Sequence, residues 1–254
     1  MKRKIHINKV NYESIDYKEI KNFFESEGFL VFLEEDPLLR LDHKKLNEIA
    51  LFFAKSRILN TFKRELNENP LNIEVEYEKR NLISPNRKKG IIYDGYKLVK
   101  IYRSFISKEL VNIKDFVHFF LTDQLISTFS DRWHLRVIIF SFPVLISIPG
   151  IIYAPAKDRD YYISSSLGHL PVYKEYYLTE KDRRITKIIC AYIIQGIFFY
   201  NSILEKKEFE FCNDRHCLLY NSHYQRELIE IQFNLNFCDK HKKEWKKIVT
   251  LKNF

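Results

Sequence analysis

The sequence predicts an α/β layered domain, and three observations carry that expectation. Short apolar runs of strand length alternate with stretches whose apolar residues recur at helical spacing. One long stretch, 185–203, is apolar on nearly every side, as a helix inside such a domain must be. With 254 residues, 46% of them apolar, the chain can bury a sizeable core and is too hydrophobic for disorder. Its six glycines and seven prolines leave little room for long flexible linkers.

The elements follow in order. KIHINKVN, residues 4–11, reads as a first strand. Residues 17–27 have helical spacing, with Ile20, Phe23 and Phe24 on one face, and Gly28 stops the helix. FLVFLE, residues 29–34, is a second strand. A polar turn leads to a helix over 43–57, striped by Leu46, Ile49, Ala50 and Phe53. Residues 71–77 alternate in part and read as a strand, and NLISPNRKKG, 81–90, as a turn. A helix is expected over 95–106, with Leu98, Ile101, Tyr102 and Phe105 inward. A compact strand follows over 116–121 and ends at Thr122 and Asp123.

The apolar run 134–148 contains Pro143, which does not suit a central strand. It therefore predicts a strand to about Phe140, a bend at 141–143, and a further extended piece. Gly150 and Pro155 frame a short segment, and 161–164 reads as one more strand. In the helix over 185–203, Gly196 weakens propensity but permits close packing. Gln195 is the lone polar side chain in its middle and needs a partner. Arg136, in an apolar strand, needs one too, and Asp123 is a candidate.

Three of the four cysteines form a pattern near the C-terminal end: Cys212-x4-Cys217 and Cys238-x2-His241, with 20 residues between the pairs. Zinc takes four soft or borderline donors at tetrahedral corners, and two short knuckles supply two each. The predicted site is one structural Zn2+ on Cys212, Cys217, Cys238 and His241. His216 is an alternative to His241, and free thiols are the bland alternative to a metal. Cys190, inside the long helix, reads as a small core residue. Between the pairs, Ser222 and Gln225 fit a capping box that opens a helix over 223–233. Four protein ligands leave no open position, so the site is expected to stabilise the fold rather than to catalyse. The chain then divides into an α/β domain, 1–205, and a zinc-stapled subdomain, 206–254, packed on it.

The net charge of +9 comes from lysines spread along the chain, with clusters at 87–89 and 242–247. Spread lysines read as a solvated surface; a nucleic-acid partner would need them gathered on one face with exposed aromatics between. No apolar run leads to a small-residue cleavage site. No window reaches the roughly 18 apolar residues of a membrane span, and the nearest candidate is uncharged only over 188–200. A cytoplasmic protein with no membrane partner is expected.

Catalytic motifs are missing from the sequence: it has no H-E-x-x-H, P-loop, G-x-G-x-x-G or G-x-S-x-G. The remaining candidates are isolated polar residues. They are His118 and Asp123 near the ends of FVHFFLTD, His169, and Asn221, His223 and Glu227, which are candidates to line a cleft near the metal helix. Each reads more readily as structural than as catalytic.

FCNDRHCLLYNSHYQRELIEIQFN followed by FCDKH resembles an archaeal family of unknown function that is assigned to the metallopeptidases. FVHFFLTDQLISTF and LRVIIFSFPVLISIPGIIYAPAKDRDYY extend the resemblance over most of 90–250. That family is similar to metzincin-type zinc peptidases, which carry a comparable structural zinc just after the catalytic helix. The resemblance implies a metzincin-like twisted mixed sheet packed with helices, then an active-site helix, here 185–203, then the zinc-stapled helical segment. The peptidase motif H-E-x-x-H-x-x-G-x-x-H is not met, because the helix reads CAYIIQGIFFYNSILEKKEFEF. Fold and structural zinc carry over; no catalytic residue does. The implied function is a metallopeptidase-like protein that binds a peptide or protein in the old cleft. A hydrolase with a non-standard metal centre and a basic nucleic-acid-associated protein remain as alternatives.

Overall fold

The computed structural model describes residues 3–84, 87, 90–107, 112, 115–157, 162 and 174–250. Its centre is a five-stranded sheet. β1 (Lys4–Asn8) pairs in parallel with β2 (Leu30–Glu34) on one side and with β6 (Phe116–Thr122) on the other. β10 (Val144–Ser147) adds in parallel to β6, and the short edge strand β9 (Ile138–Ile139) runs antiparallel to β10. The order β2-β1-β6-β10-β9 makes a mixed sheet.

Strand periodicity divides the sheet's side chains between two cores. Ile5, Ile7, Val117, Phe119, Val144 and Ile146 face α1 (Tyr17–Ser26) and the 21-residue α6 (Arg184–Leu204). Phe120, Leu145 and Ile139 point the other way, onto α2 (His43–Ser56) and α4 (Gly95–Arg103). A Cβ on Gly196 would run into the Phe119 ring, so glycine lets α6 lie directly on β6. By length and hydropathy alone α6 would also pass for a membrane span, yet 67% of its most apolar window is buried inside the fold.

Several expectations change. Residues 71–77 form no strand; they begin α3 (Asn72–Leu82), whose first turn is closed by Glu74 accepting the Leu71 N–H at 2.7 Å. The alternation there misleads because Leu71 and Ile73 are exposed and only Val75 packs inward. The run 134–140 is not one strand. It divides into β8 (Trp133–Arg136) and β9, which belong to different sheets. β8 pairs with β7 (Leu125–Phe129), which pairs with β5 (Ile92–Asp94); neither of the latter was expected. A hairpin of β3 (Ile58–Asn60) and β4 (Glu65–Leu66) was also unforeseen. The bend at 141–143 holds a cis Phe142–Pro143 bond, and beyond it β10 ends in α5 (Ile148–Tyr153). Ser147 caps α5 by accepting the Gly150 N–H at 2.9 Å, with Pro149 in the first turn. The strand expected over 161–164 lies outside the described residues, Tyr162 excepted.

The C-terminal stretch adds α7 (Gln225–Ile231) and α8 (Asp239–Thr250). Ser222 is not the cap of α7. Glu227 closes its first turn, accepting the N–H groups of His223 (2.9 Å) and Tyr224 (3.2 Å). Ser222 instead donates to Gln232 Oε1 at 2.9 Å. Leu218, Leu228, Trp245 and Ile248 share one apolar cluster with β1 and α6. The Trp245 ring stacks on Phe198, and its Nε1–H donates to Glu27 Oε2 at 2.7 Å.

Candidate metal centre and adjoining cleft

The first knuckle is held by backbone bonds. The Cys212 N–H donates to Leu219 O at 2.9 Å, the Cys217 N–H to Asp214 O at 3.1 Å, and the Asp214 N–H to Cys212 Sγ at 3.4 Å. The second knuckle is the start of α8: Cys238 precedes the helix and His241 sits in its first turn. Folding brings the four side chains together. Cys212 Sγ lies 3.9 Å from Cys238 Sγ, and His241 Nδ1 lies 3.3 Å from Cys217 Sγ and 3.1 Å from Cys238 Sγ. All four donor atoms fall within 4.8 Å of one another. Donors bound at about 2.0–2.3 Å to a tetrahedral ion stand roughly 3.3–3.8 Å apart, close to the three separations given above, so the cluster could hold such an ion after small adjustments. His216 is exposed and stands outside the group.

The electrostatics also suit a cation. Burial pushes the Cys217 thiol up to about 12 and the His241 imidazole down. The neutral imidazole is the ligating form, whereas the buried thiol needs a positive ion to become a thiolate. His241 Nε2 faces Glu244 Oε2 at 3.7 Å, which favours the proton there and leaves the Nδ1 lone pair to the sulfur side. Three thiolates and an imidazole complete a tetrahedral shell.

The weak catalytic candidates do not converge. His118 is buried in β6, with its ring 5.0 Å from that of His6. Asp123 does not meet Arg136. It accepts from Gln124 Nε2 at 2.9 Å and from Arg87 Nη1 at 3.4 Å, and Arg87 also pairs with Asp36 at 2.6 Å. Burial raises Asp36; it also opposes the charge on Arg87, but Asp123 and Asp36 outweigh it and hold the guanidinium protonated. Arg87, expected on a basic surface, is therefore a buried ion-pair centre. Glu227 is occupied as a cap, and His169 lies outside the described residues. One pair was missed: His6 Nδ1 meets Glu34 Oε1 at 2.6 Å, a bond that holds Glu34 below its ordinary range. No local spacing signals it, since the partners sit 28 residues apart on neighbouring strands.

Beside the cluster lies a cleft of about 290 Å³. It is lined by Tyr192 and Gln195 of α6, by residues 138–140 and by residues 220–223. Gln195 Nε2 donates to Leu218 O at 2.8 Å, which supplies the partner the buried amide needs. Phe211, next to Cys212, and Tyr220, three residues after Cys217, both line the cleft. Cluster and cleft thus share one loop.

Fold and site define an α/β protein with a three-cysteine, one-histidine cluster capable of holding a metal ion. The profile of the Probable metallopeptidase family (DUF6775) matches residues 1–248, and the chain belongs to that family. No curated protein and no solved structure matches it.

Proposed function

We propose that this chain is a metallopeptidase-family protein in which one zinc, on Cys212, Cys217, Cys238 and His241, has a structural role, while the cleft binds a peptide. The observation that carries the reading is the convergence of four donor atoms within 4.8 Å. A cluster of thiols favours zinc over harder cations, and four protein donors leave no site for a substrate. When bound, the ion supplies folding free energy by joining the knuckle at 212–217 to α8. In this reading 206–254 is a subdomain stapled onto 1–205, and a reducing, cytoplasmic compartment keeps its thiols available.

A metzincin-like ancestry is supported by the mixed sheet followed by a long central helix. Tyr192 and Gln195 occupy the cleft face of that helix, where a hydrolytic zinc would need imidazoles and a carboxylate base. Peptide binding is supported by the edge strand β9, which has no strand partner on its cleft side.

The test is metal content per chain, measured on protein purified without added metal or chelator. One zinc, lost in Cys212→Ser and Cys238→Ser, is the expected result. Folded protein without metal would overturn the reading. A second metal that survives both substitutions would favour a hydrolase with a non-standard centre.

A further inference from the structure

The cleft carries a charge pattern that a generic peptide groove does not need. Arg136 lines it, and Arg136 Nε donates to Thr128 Oγ1 at 2.7 Å, with Thr128 lining the cleft as well. That bond fixes the plane of the guanidinium and leaves the terminal nitrogens to form a two-pronged contact. Among the described residues no carboxylate pairs with Arg136, and no Asp or Glu lines the cleft. The backbone below is equally fixed. Any Cβ on Gly150 would collide with Arg136 O, so α5 packs directly under this residue.

Direction matters too. Arg136 lies just before β9, one of the sheet's two edge strands. A peptide adding antiparallel to 138–140 runs its C-terminal end toward Arg136. The cleft, at about 290 Å³, is small for a ligand pocket and suits the end of a chain better than a long segment.

We propose that the cleft receives the C-terminus of an extended peptide, with Arg136 binding the terminal carboxylate and β9 pairing with the peptide backbone. This rests on the peptide-cleft reading above and specifies what that cleft selects. Thr128 is a positioning residue, acting through Arg136.

The experiment uses the full zinc-loaded chain and random N-acetylated hexapeptides in two pools, one ending in a free carboxylate and one in an amide. Retained peptides are counted by mass spectrometry. The free-carboxylate pool is expected to be retained about tenfold more, the worth of one charge-assisted bidentate contact. Arg136→Gln should erase the difference while zinc content and melting temperature stay unchanged. Should that variant misfold, Thr128→Val keeps the cation but frees its plane, and should reduce the preference severalfold. Equal retention of both pools overturns the assignment of Arg136 and leaves the peptide cleft standing. So does retention of amides selected for internal Asp or Glu, which would make an acidic side chain the ligand. No retention from either pool removes the peptide cleft itself, and the proposal with it.

Discussion

The donor cluster and the cleft share one loop, and they are opposites. The cluster has donors and no room: three sulfurs and a nitrogen converge, with Cys217 fully buried. The cleft has room and few strong donors: among the described residues that line it there is one histidine, His223, and no cysteine, Asp or Glu. A hydrolytic centre needs both properties in one place, an ion and an open position. Here the donors and the open space are separated, and the loop that carries Cys212 and Cys217 also lines the cleft through Phe211 and Tyr220. Under the function proposed above, the metal and the binding space serve different tasks.

Cys238→Ser should separate the cluster from the cleft most clearly. Removing one thiolate should release the ion and forfeit a large part of a structural zinc's apparent binding energy, roughly 10–16 kcal/mol in small zinc-dependent domains. Elemental analysis and hydrogen exchange over 206–250 should both report the loss, whereas Arg136→Gln should leave both unchanged. Arg87→Met tests whether the fold depends equally on a site remote from both. It leaves Asp36 and Asp123 buried without their cation and should cost about 3–5 kcal/mol in denaturant unfolding, with zinc retained. Gln195→Leu cuts the bond from α6 to Leu218 O and should cost about 1–3 kcal/mol. Because Leu218 adjoins Cys217, this variant should also yield zinc to a chelator more readily than the parent.

The smallest effect is a pH dependence on the far side of the sheet. Hydrogen bonding to His6 holds Glu34 below its ordinary value of 4.5. A carboxylate depressed in the folded state contributes stability that is present above the unfolded value and lost as pH falls through the folded one. Melting temperature should therefore drop below about pH 4.5 in the parent. Glu34→Gln should flatten that limb only slightly, since the group is half exposed and screened.

The cluster was legible because its donors come in two local pairs, and a pair's spacing is visible without knowing the fold. The cleft was legible only in part: Asn221 and His223 line it as the sequence suggests, Glu227 does not, and the contributions of β8, β9 and α6 depend on strand order. Arg87 shows the same limit. NRKKG looks like a solvated turn, yet Arg87 is buried by carboxylates that follow two different strands. Local chemistry also competed at α7, where both Ser222 and Glu227 could have set the start. The glutamate does so because its Oε2 reaches back to two backbone N–H groups, while Ser222 is engaged by Gln232. Helix α3 was misread because alternation over a few residues is as compatible with an exposed helix start as with a strand.

The position of β1 bears on how the protein is made. It leaves the ribosome before the other strands of its sheet, yet it lies between β2 and β6. After β2 has paired, the other edge of β1 must wait until β6 is synthesised, with Ile5 and Ile7 still lacking α6 to cover them. The nascent chain thus exposes an unpaired apolar strand through much of its synthesis, the kind of edge that recruits other chains. Holdase chaperones should bind this N-terminal stretch in preference to the rest, and slowed translation before residue 116 should raise the yield of aggregate.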